Sequence, residues 1–511
     1  MTAAVFQDGP ALLESGGAVR GRVQVVTGSD RVEKGHPLRW RILSAIALGT
    51  LMGPVDGSVV NIALPVVTRS LETTLPVAEW VAIAYLLVIS SLLLTWGRLG
   101  DMYGHRAVYL AGFGIFTAGS VMCGAAASIG WLIAFRVVQA VGAGMMMAAG
   151  PAIITQVFPP SERGRALGLN AMAVAVGLFI GPGLGGLLVE HLGWRSIFYI
   201  NLPIGTVGTA WAARVLPGAA HVDRAAFDIP GAATLFGALF LVLLAASQGP
   251  VWGWRSGAVV GALAAGMVMF LAFVGIEQRV KAPMVDLQLF GHRVFALANA
   301  SGLLSFIAQF SVTFLLPFYL QFALGLPPDR AGLVMLGFPA AVLLAAPFAG
   351  YLSDRFGSRW LAVMGMAILS AGVFNMSRLG VDVPASSVFW RLFLVGLGSG
   401  LFQTPNNSTI MGSVPRERLG VAGGTLAGMR NTGMVLGIAV SGAVFTARAG
   451  VRLEASGAVP EPFLAGMHAA MTVGAGVAVL GTLASLAARR APSEGRRAAA
   501  RERPAPAGDS R

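Results

Sequence analysis

The chain has 511 residues, of which 55% are hydrophobic and only 12% are charged. Soluble domains carry about 25% charged residues, so this composition excludes an ordinary soluble domain and favours a protein that crosses a membrane many times. The formal net charge of +13 does not require a nucleic-acid partner, because most basic residues lie on one side of the predicted membrane.

Fourteen apolar segments follow one another along the chain, and helices of such length can cross about 30 Å of hydrocarbon. We therefore predict an all-α integral membrane protein. Residues 1–38 lack the apolar core of a signal peptide, and like residues 489–511 they are predicted to be disordered tails. The predicted spans lie near residues 42–67, 80–97, 107–127, 131–158, 166–189, 196–216, 229–247, 256–276, 295–323, 331–352, 360–378, 387–412, 420–446 and 467–488.

An even number of spans places both tails on the same side, together with most of the 36 Lys and Arg residues. The positive-inside rule makes that side cytoplasmic. Only Lys34 and Lys281 are lysines, which is typical of a bacterial genome rich in G and C. We expect a multi-pass protein of the bacterial inner (plasma) membrane with both termini in the cytoplasm.

An internal repeat divides the chain. The stretch "GRLGDMYGHR" at 97–106 recurs as "GYLSDRFGSR" at 350–359. Glycines of later spans recur at nearly the same offset: Gly142 and Gly144 match Gly398 and Gly400, and Gly177, Gly181 and Gly186 match Gly433, Gly437 and Gly442.

Two halves of six spans each therefore make up residues 39–216 and 291–488. Residues 217–290, with the spans near 229–247 and 256–276, have no counterpart and are predicted to be an insertion of two accessory spans. Duplicated membrane bundles with a site between the repeats are typical of secondary transporters.

The first motif, "GRLGDMYGHR", places an acid among basic residues after the second span. Asp101 with Arg98 and Arg106 can form a charge-assisted clasp where the helices end. The alternative is a tight basic loop that only sets topology. The repeat of the pattern favours the clasp, and its second copy offers Asp354 without a basic residue at position 351.

The second motif, "RVVQAVGAG", lies at 136–144 in the fourth span. A guanidinium in the membrane is costly, so Arg136 is expected to face the interior of the bundle or a wet cavity. The alternative is that this long side chain reaches back to the membrane surface.

The third motif, "GLFIGPGLGG" at 177–186, contains a formal GxGxxG. A nucleotide-binding role is excluded because the string lies inside a membrane span rather than at a turn between a strand and a helix. The pattern instead predicts close helix packing and a proline bend, carried by Gly177, Gly181, Pro182, Gly185 and Gly186.

The fourth motif, "VDGSVVNIALP" at 55–65, places Asp56 in the middle of the first span. A charged carboxylate is strongly disfavoured in hydrocarbon. Asp56 is therefore predicted to load and release a proton as its access changes from one side to the other. The alternative is a neutral acid that hydrogen bonds to a neighbouring helix.

Other polar residues inside spans are candidates for a substrate cavity, although ordinary helix packing explains each of them individually. They are Asn61, Gln139, Gln309, Gln403, Asn406 and Arg430. One cysteine and six scattered histidines show no metal-ligand spacing. No phosphate-binding GxxxxGK[ST] loop occurs either, so neither a metal, another cofactor nor ATP is expected.

With these motifs in this order, residues 40–488 resemble the major facilitator superfamily, and within it the fourteen-span drug:proton antiporters of the EmrB/QacA type. The resemblance implies two six-helix bundles with two extra central helices, a latch role for Asp101, and a role in proton coupling for Arg136. It also makes the glycine-proline stretch of span five an antiporter motif. Ala140 stands where the family pattern has glycine.

The resulting expectation is a proton-coupled antiporter that exports small lipophilic or amphipathic compounds, including antibiotics, by alternating access. Its partners would be a small molecule, protons and the lipid bilayer. The alternatives are a proton-coupled importer or symporter on the same fold, and a membrane-embedded enzyme, for which no constellation of a nucleophile with a base is present.

Overall fold

Apolar helices in a membrane satisfy their own backbone hydrogen bonds, and nearly all the described chain is helical. The structure, a computed structural model, describes residues 36–159, 161–218, 229–280, 287–415, 418–450 and 461–488. Within that part, thirteen helices are long and apolar enough to span a membrane. The predicted sixth span is built from Ser196–Tyr199 and the shorter helix Asn201–Val215.

The fourteen predicted spans correspond to fourteen helices, which we number in chain order. Those of the first half are α1 (Arg39–Ser70), α2 (Trp80–Tyr103), α3 (His105–Gly124), α4 (Ile129–Val157), α5 (Arg163–Leu192) and α6 (Asn201–Val215). The accessory pair is α7 (Ile229–Trp252) and α8 (Gly257–Glu277). Those of the second half are α9 (Arg293–Phe318), α10 (Gly337–Phe356), α11 (Ser358–Met376), α12 (Ala385–Met411), α13 (Leu419–Ala449) and α14 (Glu461–Ala487).

Shorter elements lie between these helices. Turns of α-helix precede α2 and α10, at Leu75–Ala78 and Pro328–Met335, and a wider π-type turn, Tyr319–Ala323, extends α9. A 3-10 turn, Leu287–Gly291, precedes α9. The boundaries agree with the predicted spans to within a few residues, as expected where apolar runs end at charged or glycine-containing loops.

The two halves repeat the same packing. In the first half α1 packs on α5, and α4 packs on both α2 and α3; in the second, α9 packs on α13, and α12 on both α10 and α11. Close approach requires glycine: a Cβ on Gly142 would lie 2.8 Å from Phe116 Cα, and one on Gly398 would lie 2.7 Å from Leu369 Cα. The repeat seen in the sequence is therefore a structural repeat of helix contacts.

We call the end of the bundle that carries the loops around Gly104 and Gly357 the motif face, and the other end the opposite face. Both glycines have positive φ, of 92° and 86°, where other residues are strained. They end α2 and α10 and start α3 and α11. The same sharp turn is thus made in both halves.

The glycines of the third motif lie on two sides of α5. Cβ atoms on Gly177, Gly181 and Gly185 would meet α1, the last of them 2.9 Å from Val59 Cα. The other side meets the second half, since a Cβ on Gly186 would lie 2.9 Å from Asp329 Cα. Gly332 approaches the carbonyl of Pro182 in the same way.

Contacts between the halves are found toward the opposite face. There Gln321 Nε2 donates to the Ile62 carbonyl over 2.8 Å, and the Arg69 guanidinium lies 3.9 Å from the centre of the Phe322 ring. Helix α2 packs on α13 across the same seam, and α7 packs on both of these helices. Helix α7 of the accessory pair therefore braces the junction of the two halves.

Candidate functional site

Polar side chains from two helices of the first half, α4 and α6, converge on Asp56 of α1. Arg136 of α4 donates through Nη1 to Asp56 Oδ2 over 2.5 Å. Gln139, one turn along the same helix, donates to Oδ1 over 2.8 Å, and Asn201 of α6 donates to Oδ1 over 3.2 Å. We call these four residues the Asp56 cluster, and each is at most 2% exposed.

The arginine is held by more than the carboxylate. Arg136 Nε donates to the Val81 carbonyl over 3.1 Å, and Nη1 also donates to Gln139 Oε1 over 2.7 Å. The face of the guanidinium covers Tyr85, with 3.9 Å from its central carbon to the ring centre, a favourable cation–π geometry. Arg136 is only 1% exposed, so the alternative of a side chain that reaches the surface does not describe this structure.

All three neighbours of the Asp56 carboxylate are donors, so it acts only as an acceptor. The Arg136 guanidinium binds Oδ2 and the two amides bind Oδ1, so both oxygens of the carboxyl group have partners.

Burying this pair is costly. An Asp or an Arg at the centre of a membrane helix each costs about 2.5–3.5 kcal/mol on the insertion scale, and a buried pair repays that cost only with good geometry and additional hydrogen bonds. Gln139, Asn201 and Val81 supply those bonds. Losing one partner would leave the other charge in hydrocarbon.

Asn201 was not a predicted site residue, although it lies in the predicted sixth span, near residues 196–216. Its amide also donates to Ser120 Oγ over 3.0 Å, and Ser120 donates to the Phe198 carbonyl over 2.9 Å. Tyr85 and the Val81 carbonyl were also missed. Spacing offered no signal for them, because they reach Asp56 and Arg136 only through the packing of separate helices.

The equivalent positions of the second half are apolar. Gly177 packs on the Leu51 carbonyl and Gly433 on the Leu303 carbonyl, which sets the correspondence of α1 with α9. Matching α1 with α9 in this way makes Ala308 the residue equivalent to Asp56. Matching Gly142 with Gly398 makes Leu392 and Val395 equivalent to Arg136 and Gln139. All three residues of the second half are buried. The ionic cluster belongs to one half.

The second half contains a cavity between α9, α12 and α13. It has about 10 Å³ of room, enough for a single water molecule. Three of the six predicted cavity residues line it: Gln403, Asn406 and Arg430. The other lining residues are Asn299, Gly302, Phe306, Phe402, Asn407, Leu426 and Met429.

Polar atoms in and beside this C-half cavity have spare hydrogen-bonding capacity. Arg430 Nε and Asn299 Oδ1 are buried without a hydrogen-bond partner among the described residues. None of the lining residues is acidic. The cavity is therefore positively charged, and it presents donors from a guanidinium and several amides beside the rings of Phe306 and Phe402.

The remaining cavity candidates are placed elsewhere. Gln139 uses its amide within the Asp56 cluster, and Gln309 accepts from Ser399 over 3.1 Å. Asn61 is buried in α1, at 8% exposure, between Asp56 and the opposite face. The structure therefore divides the six residues between the two halves rather than bringing them together.

The loop of the first motif shows a pairing other than the expected clasp. Asp101 Oδ1 lies 3.1 Å from His105 Nε2, one turn further along the chain. Arg106 is directed away from Asp101 and donates to the Ala213 carbonyl over 2.8 Å. No ion pair joins Asp101 to Arg98 or Arg106 among the described residues, and the side chain of Asp354 lies outside what the structure describes.

The arginine that closes the motif has the same contact in both halves. Arg106 binds the Ala213 carbonyl near the end of α6, and Arg359 binds the Leu486 carbonyl near the end of α14, both over 2.8 Å. A guanidinium is favourable at a helix C-terminus, where carbonyls lack intrahelical partners. This repeated contact ties the sixth helix of each half to its third.

Within the described residues, no group of three or more His, Cys, Asp or Glu side chains could hold a metal ion. The one cysteine, Cys123, is buried, and its thiol lies 3.7 Å from Gln139 Oε1. The ionisable groups of the Asp56 cluster are the Asp56 carboxyl group and the Arg136 guanidinium that contacts it.

Removing the arginine tests the pairing. Arg136→Met leaves Asp56 buried without its cation, and we expect a loss of about 3–5 kcal/mol of stability, measured as a lower apparent unfolding temperature in detergent. The control is Arg391→Met in the second half, where Arg391 donates to the exposed-side Asn375 carbonyl and about 1 kcal/mol is expected. Equal effects of the two substitutions would contradict a stabilised buried pair.

Comparison with known proteins places the chain in a family. It is 36% identical over 408 residues to the riboflavin transporter RibZ of Clostridioides difficile (strain 630), covering 80% of this chain and 88% of that protein. It is 31% identical over 419 residues to the tetracenomycin C resistance and export protein of Streptomyces glaucescens, covering 82% of this chain and 77% of that protein.

Among solved structures, the bacterial homologue of the human lysosomal transporter Spinster, in an inward-facing and unoccupied conformation, has the same fold. The TM-score is 0.63 at 16% identity, over 89% of this chain and 99% of that one. The family model described as Major Facilitator Superfamily matches residues 46–300 and 298–509. These relatives are transporters rather than enzymes, and the chain is a multi-pass membrane transporter that belongs to the Major Facilitator Superfamily.

Proposed function

We propose that the protein is a fourteen-span drug:proton antiporter of the EmrB/QacA type that exports a small lipophilic or amphipathic compound by alternating access. The observation that carries the proposal is the buried pair of Asp56 and Arg136. Charged residues inside a membrane are usually functional. Here a proton can bind to the Asp56 carboxylate oxygen that the Arg136 guanidinium already contacts.

The coupling step follows from that competition. When Asp56 is charged, Arg136 is bound; when a proton occupies Oδ2, the guanidinium loses its partner and the contact between α1 and α4 is weakened. Substrate and proton then favour different conformations of the transporter. By linkage, a substrate that binds more tightly to the deprotonated state is expelled when Asp56 is protonated.

The orientation of the proposed cycle places the motif face and both termini in the cytoplasm of a bacterial inner membrane. The charge distribution supports it, since basic residues concentrate on that side. Contacts between the halves at the opposite face then correspond to a transporter that is closed toward the outside. ATP and nucleic acid have no role in this proposal.

Export is favoured over import by two observations. Gly186 and Pro182 of the span-five motif lie at the seam between the halves, and the sequence around them resembles the antiporter motif of exporters. One relative is named as an export protein. A proton-coupled importer or symporter is the second candidate, because RibZ is named as a riboflavin transporter without a direction.

The C-half cavity has room for one water molecule in this conformation, and we propose that it widens as the halves move. The chemistry of its lining then suits a flat aromatic compound that is neutral or anionic and rich in hydrogen-bond acceptors. Arg430 supplies a cation with a free donor, the amides supply further donors, and Phe306 and Phe402 supply apolar rings. Riboflavin and tetracenomycin C, named for the relatives, are both polycyclic and rich in carbonyl oxygens. A dicationic drug would meet a positive cavity.

The principal test is Asp56→Asn, which has the shape of a protonated aspartic acid but cannot ionise. We expect the variant to insert and fold, to lose uphill efflux driven by an imposed proton gradient, and to keep downhill exchange. The measurement is efflux of riboflavin or an anthraquinone from energised vesicles at matched protein levels. The control is Glu190→Gln, which neutralises an exposed acid at the end of α5.

Asp56→Glu should retain part of the activity with a shifted pH optimum, because the acid survives but is displaced by one methylene. Uphill efflux by the Asn variant at the wild-type level would assign the coupling proton to another group. Accumulation of substrate in the cell, rather than loss, would replace the exporter with the importer.

Arg430→Gln tests the substrate class. Removing a charge-assisted hydrogen bond worth about 1.5–3 kcal/mol raises KM for an anionic or carbonyl-rich substrate by roughly 10- to 100-fold. Arg448→Gln, on an exposed arginine of the same helix, should leave KM unchanged. If Arg430→Gln improves transport of anions, or lowers that of cationic dyes alone, the assigned substrate class is wrong.

Asp101 is proposed to latch the motif face when that face closes, at which point its His105 contact would be exchanged for one with arginine. Asp101→Asn should insert normally yet slow efflux, because a closing contact worth about 1.5–3 kcal/mol is lost. A wild-type initial rate in vesicles would remove the latch role.

The orientation is tested with a C-terminal reporter that is active only in the cytoplasm. If this reporter is silent in the inserted protein, the proposed orientation is reversed.

A further inference from the structure

A second buried acid, Glu79, contacts a different set of residues from the Asp56 cluster. Glu79 stands between the short helix Leu75–Ala78 and α2, and it is 0% exposed. Its carboxyl group fills the space beside Gly442 of α13, where a Cβ would collide with Oε2. Glu79 is therefore enclosed between the two halves.

The accessory helix completes the enclosure. Ser247 of α7 donates to Glu79 Oε1, and Trp80 Nε1 donates to the Ser247 hydroxyl over 3.1 Å. The Ser247 hydroxyl also lies 3.4 Å from the Pro76 carbonyl. Glu79 therefore contacts all three parts of the transporter: the first half, the accessory pair and the second half.

The other oxygen, Oε2, is buried without a hydrogen-bond partner among the described residues. Within the described ranges, the elements around it bring no cation to the carboxyl group. Helix α7 has no ionisable residue, Arg69 of α1 lies over the Phe322 ring, and Arg448 of α13 is exposed beyond Gly442.

The charged groups of the neighbouring helices are also engaged elsewhere. Arg136 binds the Val81 carbonyl rather than the Glu79 carboxyl group, Arg430 lies at the C-half cavity, and Glu72 is exposed in the preceding loop. A carboxylate with one hydroxyl donor and no cation is strongly disfavoured in such a place. Glu79 is accommodated here as the neutral acid.

We propose that Glu79 is a proton-binding site that controls the seam between the halves at the opposite face. Separation of α2 from α13 admits water to Glu79, which then ionises and releases its proton. The halves can close again only after a proton has returned. Water reaches Glu79 from the opposite face, so the proton is released to that face and returns from it. This proton is therefore not exchanged for substrate.

This role goes beyond the proposed antiport and depends only on movement of the halves. It assigns a function to the accessory pair, since α7 provides the hydroxyl that donates to the buried carboxyl group. It also gives Gly442 a reason to be glycine: any side chain there would push the Glu79 carboxyl group out of the seam.

The test measures the seam directly. Spin labels are placed by Glu190→Cys and Arg448→Cys, two exposed positions in different halves at the opposite face, with Cys123→Ser in the background. The distance between them is measured by electron paramagnetic resonance in lipid nanodiscs without substrate. We expect a short distance in acid and a growing long-distance population in alkaline buffer.

Glu79→Gln, which mimics the neutral acid, should keep the short distance at both pH values, and the control Glu72→Gln should follow the parent. A parent-like pH response in Glu79→Gln would overturn the proposal. If that variant fails to fold, Ser247→Ala provides the second measurement. Because Ser247 donates to the Glu79 carboxyl group and a donor favours the ionised form, the transition should move toward alkaline buffer, and an unchanged transition would equally overturn the proposal.

The outcome is separable from that of the proposed function. Asp56→Asn should lose uphill efflux but keep the pH response of the seam, whereas Glu79→Gln should lose the pH response while its remaining transport stays coupled to protons. Loss of the pH response in Asp56→Asn with its retention in Glu79→Gln would assign the seam proton to Asp56 instead.

Discussion

The interaction on which the first half depends is the buried contact of Asp56 with Arg136. Neither charge is stable alone in hydrocarbon, so each requires the other and the donors and acceptors around them. This requirement decides where α1, α4 and α6 stand. It also demands close packing nearby: a Cβ on Gly119 of α3 would lie 2.7 Å from the backbone of Gln139, so glycine lets α3 support the helix that carries the pair.

Duplication gave the two halves the same helix contacts but left them with different interiors. Apolar residues occupy the positions in the second half that correspond to the ionic cluster, and that half instead contains the cavity beside Arg430. Such a division is consistent with proton binding in one half and substrate contact in the other. Movement of the halves at their seam is then the means by which one site can influence the other.

The spans and the helix-packing glycines could be predicted because apolar length and small-residue spacing are local properties of the sequence. Asp56 and Arg136 were also found, since a charge inside an apolar run is conspicuous. Their mutual contact was not, because it joins residues far apart in the chain. The clasp at Asp101 stays a prediction: neighbouring arginines suggested it, whereas in this conformation Arg106 lies toward α6 and His105 lies beside the acid.

The arginine contacts that tie the sixth helix to the third in each half bear on how the protein is made. By the time Ala213 has left the ribosome, the first half has every residue it needs to close, including Asn201 for the carboxylate of Asp56. Domains generally fold as units in the order of synthesis. The two membrane charges can therefore be neutralised during translation, before the accessory pair or the second half has been inserted, so that no unpaired ion has to wait in the lipid.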